Sequence, residues 1–127
     1  MKIKTKLFGD HPSLAIIYDN IGSVLFNLSD ISGAKENFSK AVELQKKFGD
    51  RSGFTAHSLH KLGLVSETAK NPREALKYFS ESYEIRKSIN DKHLDEALKK
   101  LISLAKETND SSSLTKFSEE LKAQNNK

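Results

Sequence analysis

His57 and His60 are the residues whose type and spacing most directly suggest chemistry. On a helix, His-x-x-His places both imidazoles on one side, where a metal ion can bridge them. A zinc site needs further ligands. No Glu stands in the metalloprotease arrangement, no third ligand is evident and the chain has no Cys. The pair therefore reads as a pH-responsive peptide contact or as a plain surface pair, because His titrates near neutrality. Ser111, Ser112 and Ser113 follow Asp110 and could accept a phosphate, but turn chemistry explains them as well. There is no Gly-rich phosphate loop and no Gly-x-Ser-x-Gly elbow. We therefore expect no enzyme, no cofactor and no metal.

The elements that position these residues read as helices. The chain has 127 residues, enough for one domain, with 36% hydrophobic and 30% charged residues. Two Pro and six Gly are too few for a barrel or sandwich of many turns. Ala, Leu, Lys, Glu and Ser fill the segments, which favours helix. The basic start is followed by no signal-like apolar run, and no stretch is long and apolar enough to span a bilayer. With no Cys, a cytoplasmic setting is expected. The net charge of +4 is spread along the chain, so the lysines read as solvated helix faces and not as a nucleic-acid surface.

Internal repetition organises the rest. Gly22, Ala34 and Phe38 recur 41 residues on as Gly63, Ala75 and Phe79, and Tyr18 falls on Leu59. Leu14, Ile17, Tyr18, Ile21, Leu25 and Leu28 form one stripe of helical spacing. Ile31, Ala34, Phe38, Ala41, Val42 and Leu44 form the next. Asp30 and Asn71 suit helix N-caps, Pro72 a first helical position, and Pro12 the start of the first helix. The glycines are expected to let the two helices of a unit approach, with Phe38 and Phe79 filling the space between units. A third unit is degenerate. Leu98, Leu101, Leu104 and Ala105 form its first stripe, Asp110 caps a helix with Leu114, Phe117 and Leu121, Ile102 replaces the glycine and Ser118 the Phe.

The unit resembles the tetratricopeptide repeat, a helix–turn–helix of about 34 residues that stacks into a superhelix. Tyr18, Ile21-Gly22, Leu25, Ala34, Phe38 and Ala41 carry the resemblance, followed by Leu59, Leu62-Gly63, Ala75, Phe79 and Ser82. Ser66 departs from it, and Lys46 and Lys87 stand where a closing Pro is common. The longer period and Phe8-Gly9-Asp10-His11-Pro12 are similar to kinesin-light-chain-like units. Gly49-Asp50-Arg51 is also similar to spindle-orientation adaptors and bacterial peptide-sensing regulators. The resemblance covers roughly residues 1–107. It implies an all-α, TPR-type solenoid of about three antiparallel helix pairs. We expect a remnant or cap helix end over 1–10, repeats over 11–50 and 51–91, a degenerate repeat over 92–123 and a frayed tail at 124–127.

The resemblance further implies a protein-interaction module, an adaptor or scaffold whose first helices line a concave groove for a peptide or helical segment. It nominates Asp19, Ser23, Phe26 and Asn27 in the first unit, His57, His60, Leu64 and Glu67 in the second, and Lys99, Ser103 and Lys106 in the third. Phe26 falls off the core stripe and is either an exposed anchor or packed on a neighbouring helix. Docking of chaperone C-termini is not expected, because that clamp uses paired Lys and Asn where this chain has Asp19/Ser23, His60/Leu64 and Lys99/Ser103. Two other readings stand: a peptide-sensing regulatory fragment of a longer protein, and a module that self-associates through an open solenoid end. MKIKTKLFGD matches the repeat-closing AVELQKKFGD, so the chain is expected to begin with the last turns of a repeat, leaving an apolar face on its first helix pair.

Overall fold

The computed structural model describes residues 13–92 and 94–125. The expectations for MKIKTKLFGD and for Pro12 fall outside them. The described residues form six helices and no strand: α1 (Leu14–Asn27), α2 (Ile31–Lys47), α3 (Gly53–Thr68), α4 (Pro72–Ser88), α5 (Leu94–Glu107) and α6 (Ser111–Asn125). Consecutive helices pack as neighbours, pairing α1 with α2, α3 with α4 and α5 with α6. The fold is thus an all-α solenoid of three helix pairs. α6 continues through Gln124 and Asn125, which lay in the expected tail.

Local chemistry explains where each helix starts and stops. Asp30 accepts a hydrogen bond from the Gly33 amide, Asn71 from Glu74 and Asp110 from Ser113, so all three expected caps form. Pro72 occupies the first turn of α4, where a missing N–H costs nothing. Five helices end in one device. Ser29, Gly49, Lys70, Asn90 and Asn109 have φ between 56° and 67°, and the next residue's amide reaches back to a carbonyl five residues upstream, as Asp30 does to Leu25. That next residue is always Asp or Asn: Asp30, Asp50, Asn71, Asp91 and Asp110.

The glycines make room for a ring. A Cβ on Gly22 would lie 2.8 Å from the Phe38 ring, and one on Gly63 2.6 Å from the Phe79 ring. Each aromatic therefore sits directly against its own unit's glycine. Phe38 also enters a cluster with Leu59, Leu62 and Val65 of α3. Phe79 does the same with Leu98, Leu101 and Leu104 of α5. One ring thus closes its unit and bonds it to the next. In the third unit, Ile102 at the glycine register adds volume where Ser118 at the Phe register removes it, and the buried aromatic is Phe117, one position earlier.

The second helices are tied on their outer side. Lys46 pairs with Glu81 at 2.8 Å and Lys87 with Glu120 at 2.6 Å, at the positions where the closing Pro was missing, and Lys35–Glu74 at 2.8 Å and Lys116–Glu84 at 3.3 Å add a second link at each junction. These pairs are exposed and contribute at most about 1 kcal/mol each.

The Gly–Phe contact sets a sign for Gly63→Ala. Helix propensity favours Ala by up to ~1 kcal/mol, but displacing a packed ring costs about 1–3 kcal/mol. We expect Gly63→Ala to lower the midpoint of thermal unfolding, and Phe79→Leu to remove part of that loss. A double-mutant cycle by denaturant unfolding measures the coupling. Additive effects would show that the contact does not carry the close approach.

Candidate functional site

The first helices α1, α3 and α5 of successive pairs lie side by side, and two junctions between them are built from equivalent positions. At the first, Asp19 on α1 is only 3% exposed. Its Oδ1 accepts a hydrogen bond from the Ser58 hydroxyl at 2.9 Å, and its Oδ2 meets Lys61 Nζ at 2.9 Å. Lys61 also donates to Ser23 Oγ at 2.9 Å and stands 5.6 Å above the Phe38 ring. The junction is filled and its charges are paired. A buried carboxylate persists here because a cation and a hydroxyl both serve it.

The second junction keeps the frame and loses the anion. His60 takes the register of Asp19, Ala97 that of Ser58 and Lys100 that of Lys61. Lys100 stands 5.7 Å over the Phe79 ring, as Lys61 does over Phe38. With His60 in place of a carboxylate at the Asp19 register, its ammonium pairs with Glu67 at 2.7 Å. The His60 ring packs on Phe79 with centroids 4.9 Å apart and planes 58° apart. What remains is a cleft of about 530 Å³ lined by His60, Leu64, Arg86, Asp91, Glu96, Ala97 and Lys100. Its floor is apolar and its rim carries both signs of charge.

Burial pushes the His60 imidazole down to about 4, and the positive field of Arg86, His57 and Lys100 adds to it against the opposing Glu67. His57 is exposed on the preceding turn. Its pKa is lowered by partial burial and by Lys61, with Asp19 opposing. His60 is therefore neutral at physiological pH, in a cleft whose rim carries Arg86 and Lys100 beside Asp91 and Glu96.

Placement sorts the nominated residues. His60 and Leu64 line the cleft, and Glu67 holds its lysine. Asp19 and Ser23 are occupied within the first junction; Asp19 is buried structure and not a free groove surface. Phe26 is half-buried against the first hydrophobic cluster, the packing alternative for that residue and not an exposed anchor. Asn27, His57, Lys99, Ser103 and Lys106 are exposed and none of them lines the cleft. Arg86, Glu96, Ala97 and Lys100 were not anticipated. Lys100 was findable, since it repeats Lys61 at the third unit's register; Arg86 was not, since it lies on a second helix. Among the described residues no group of three His, Asp or Glu is placed to hold a metal. No helix among them is long and apolar enough to cross a membrane.

Comparison with known proteins supplies a family. A family model described as tetratricopeptide repeat matches residues 13–88. Among solved structures, BtubC (BKLC) from P. vanneervenii superposes with a TM-score of 0.73 at 16% identity, over 90% of this chain and 47% of that one. The TPR domain of Arabidopsis FLU superposes at 0.68 and 22% identity, over 87% of this chain and 92% of that one. A putative kinesin light chain from Podosopora anserina, with nearly identical TPR-like repeats, superposes at 0.67 and 14% identity, over 90% and 56%. This chain therefore spans about half the length of the first of these and nearly all of the second. No curated protein sequence matches it.

The depressed pKa of His60 has a consequence for stability. The unfolded chain, with an ordinary imidazole near 6.5, binds more protons than the folded chain between pH 6.5 and about 4. The contribution of neutral His60 is fully present above that window and is lost as pH falls through it. Allowing for solvent at the cleft, the loss is roughly 1–2 kcal/mol. His60→Phe should flatten this part of the stability–pH curve. A proton NMR titration in which His60 and His57 titrate together near 6.5 would contradict it.

Proposed function

The chain belongs to the tetratricopeptide repeat family, and on that premise we propose that it is an adaptor or scaffold that binds a partner peptide in the groove lined by α3 and α5. Repeats of this family are generally protein-interaction modules and not catalysts. The observation that carries the finer reading is the second junction. It repeats the lysine-over-phenylalanine frame of the first but lacks the carboxylate that completes it, and an open cleft stands in its place.

The peptide class follows from that difference. An extended or helical segment would lay an apolar side chain on Leu64 and Ala97 and direct an Asp or Glu carboxylate toward His60, Arg86 and Lys100. Arg86 offers a planar fork for such a group and Lys100 a point charge, already positioned over an aromatic face. A carboxylate at this place would do for the second junction what Asp19 does for the first. Asp91 and Glu96 on the same rim would repel a peptide of uniform negative charge, so the motif is a single acidic residue flanked by apolar ones.

Panning a displayed random-peptide library against the chain tests this. Enriched peptides should share one acidic residue beside apolar ones. His60→Glu and Lys100→Ala should each weaken their binding about tenfold or more. Circular dichroism melts check that each variant folds, because His60 packs on Phe79 and Lys100 pairs with Glu67. Because a bound carboxylate favours the charged imidazole, binding should take up a fraction of a proton near pH 5–6, seen by calorimetry in buffers of different ionisation enthalpy. Peptides indifferent to both substitutions would refute the groove reading.

A further inference from the structure

The strongest unexplained feature lies away from the groove, on α1. Ile17, Ile21, Val24 and Leu28 are 50%, 42%, 58% and 71% exposed, and Ile16 beside them is 50% exposed. Three of these four stripe positions are closed at the same register inside the solenoid, while Ala69, the counterpart of Leu28, is exposed. Ser58, Leu62 and Val65 on α3 are at most 1% exposed, covered by Phe38, Ala34 and Val42 of α2 and by Asp19 of α1. On α5, Leu101 and Leu104 are buried likewise. The α1 face is therefore a unit-to-unit junction surface with nothing from the described residues upon it.

We propose that this face pairs with the same face of a second copy, as a two-fold symmetric dimer. Three observations select that occupant. First, residues 17, 21, 24 and 28 are spaced four, three and four apart, the seam along which two helices interlock side chains. Second, α1 is the only one of the six described helices without Lys, Arg or Glu, and its single charge, Asp19, is buried. Two copies can meet there with no like-charge repulsion, and the exposed polar neighbours Asn20 and Asn27 can hydrogen-bond across. Third, the opposite end is a poor complement. α6 exposes Glu119 and Lys122, which head-to-tail stacking would bury against isoleucines.

The area is sufficient. The exposed apolar surface of the stripe is on the order of 500 Å² per copy, a size unusual for a solvated face. Two copies would bury about 1,000 Å², the lower range of specific interfaces, so the dimer should dissociate on dilution.

Sedimentation velocity of the whole chain over a dilution series tests the proposal. The mass should rise with concentration from 14.2 kDa to twice that value and no further. Val24→Glu and Val24→Lys should each weaken dimerisation roughly 100-fold. Val24 lies next to the midpoint of the stripe, so its counterpart on the second copy is near in either helix orientation. Mixing the two variants should therefore restore a dimer. Circular dichroism melts check that each variant folds, and Leu28→Glu, at a still more exposed position, replaces any that does not. A wild-type chain monomeric at every concentration would overturn the proposal, as expected if its own first twelve residues cover the face. So would a dimer untouched by these substitutions, open-ended growth, or a mixture that stays monomeric.

Discussion

The architecture depends on one contact, a phenylalanine ring resting where a glycine has no Cβ. A ring set 2.6–2.8 Å from the place a Cβ would occupy can do so only because nothing is there. The close crossing of the two helices then lets the same ring reach past its own unit into the next, among Leu59 and Leu62 or Leu98 and Leu101. Cohesion within a unit and between units is therefore carried by shared atoms. This is why the solenoid has two aromatic-centred clusters along its length and no single central core. The small positions Ala34 and Ala75, fully buried, serve the same approach from the second helix.

The two junctions diverge where this frame is kept and its polar filling is changed. Both junctions hold a lysine over the phenylalanine ring, at 5.6 and 5.7 Å. At the first, Asp19 and Ser58 satisfy that lysine, and the site is closed. At the second, His60 and Ala97 do not, and space opens. A neutral imidazole is the side chain that can tolerate such a place, since a carboxylate would seal it and a permanent cation would add to the charge of Arg86 and Lys100. The low pKa of His60 and the existence of the cleft are consequences of the same substitution.

Much of the fold was legible because its signals are local or strictly periodic. Asp30, Asn71 and Asp110 announce their helices through caps that need only three residues. Gly22 and Gly63 announce the crossing through an exact register with Phe38 and Phe79. Other features were hidden for physical reasons. Ser29 and Lys70 adopt positive φ although neither residue type favours it, because the chain must turn there whatever side chain it carries. The more regular sign was the Asp or Asn that follows each such turn. Asp19 looked like a groove residue because periodicity gives a face and not a partner. Its burial follows from Lys61, which lies 42 residues away and becomes a neighbour only once the units stack. Arg86 escaped notice because its helix was assigned to the outer layer, while the end of that helix returns to the cleft.

The two ends of the solenoid follow the same logic from opposite directions. A repeat offers two faces, one that receives an upstream unit and one that receives a downstream unit, and an end must neutralise whichever is left. At α6 the outer positions are Ser, Thr, Lys and Glu, so water is an adequate neighbour. The degenerate third unit, with Ile102 for glycine and Ser118 for phenylalanine, has given up the ring that would have reached outward. α1 has made no such change. Gly22 and Phe38 of its unit are intact, and its outward stripe is Ile, Ile, Val and Leu, where the next unit has Ser58, Leu62, Val65 and Ala69. Leaving that stripe in water forgoes about 25 cal/mol for each Å² of apolar area, a driving force with no charge on the helix to oppose it. Among the described residues the solenoid thus pairs a charged last helix with a first helix whose apolar stripe lacks a neighbour.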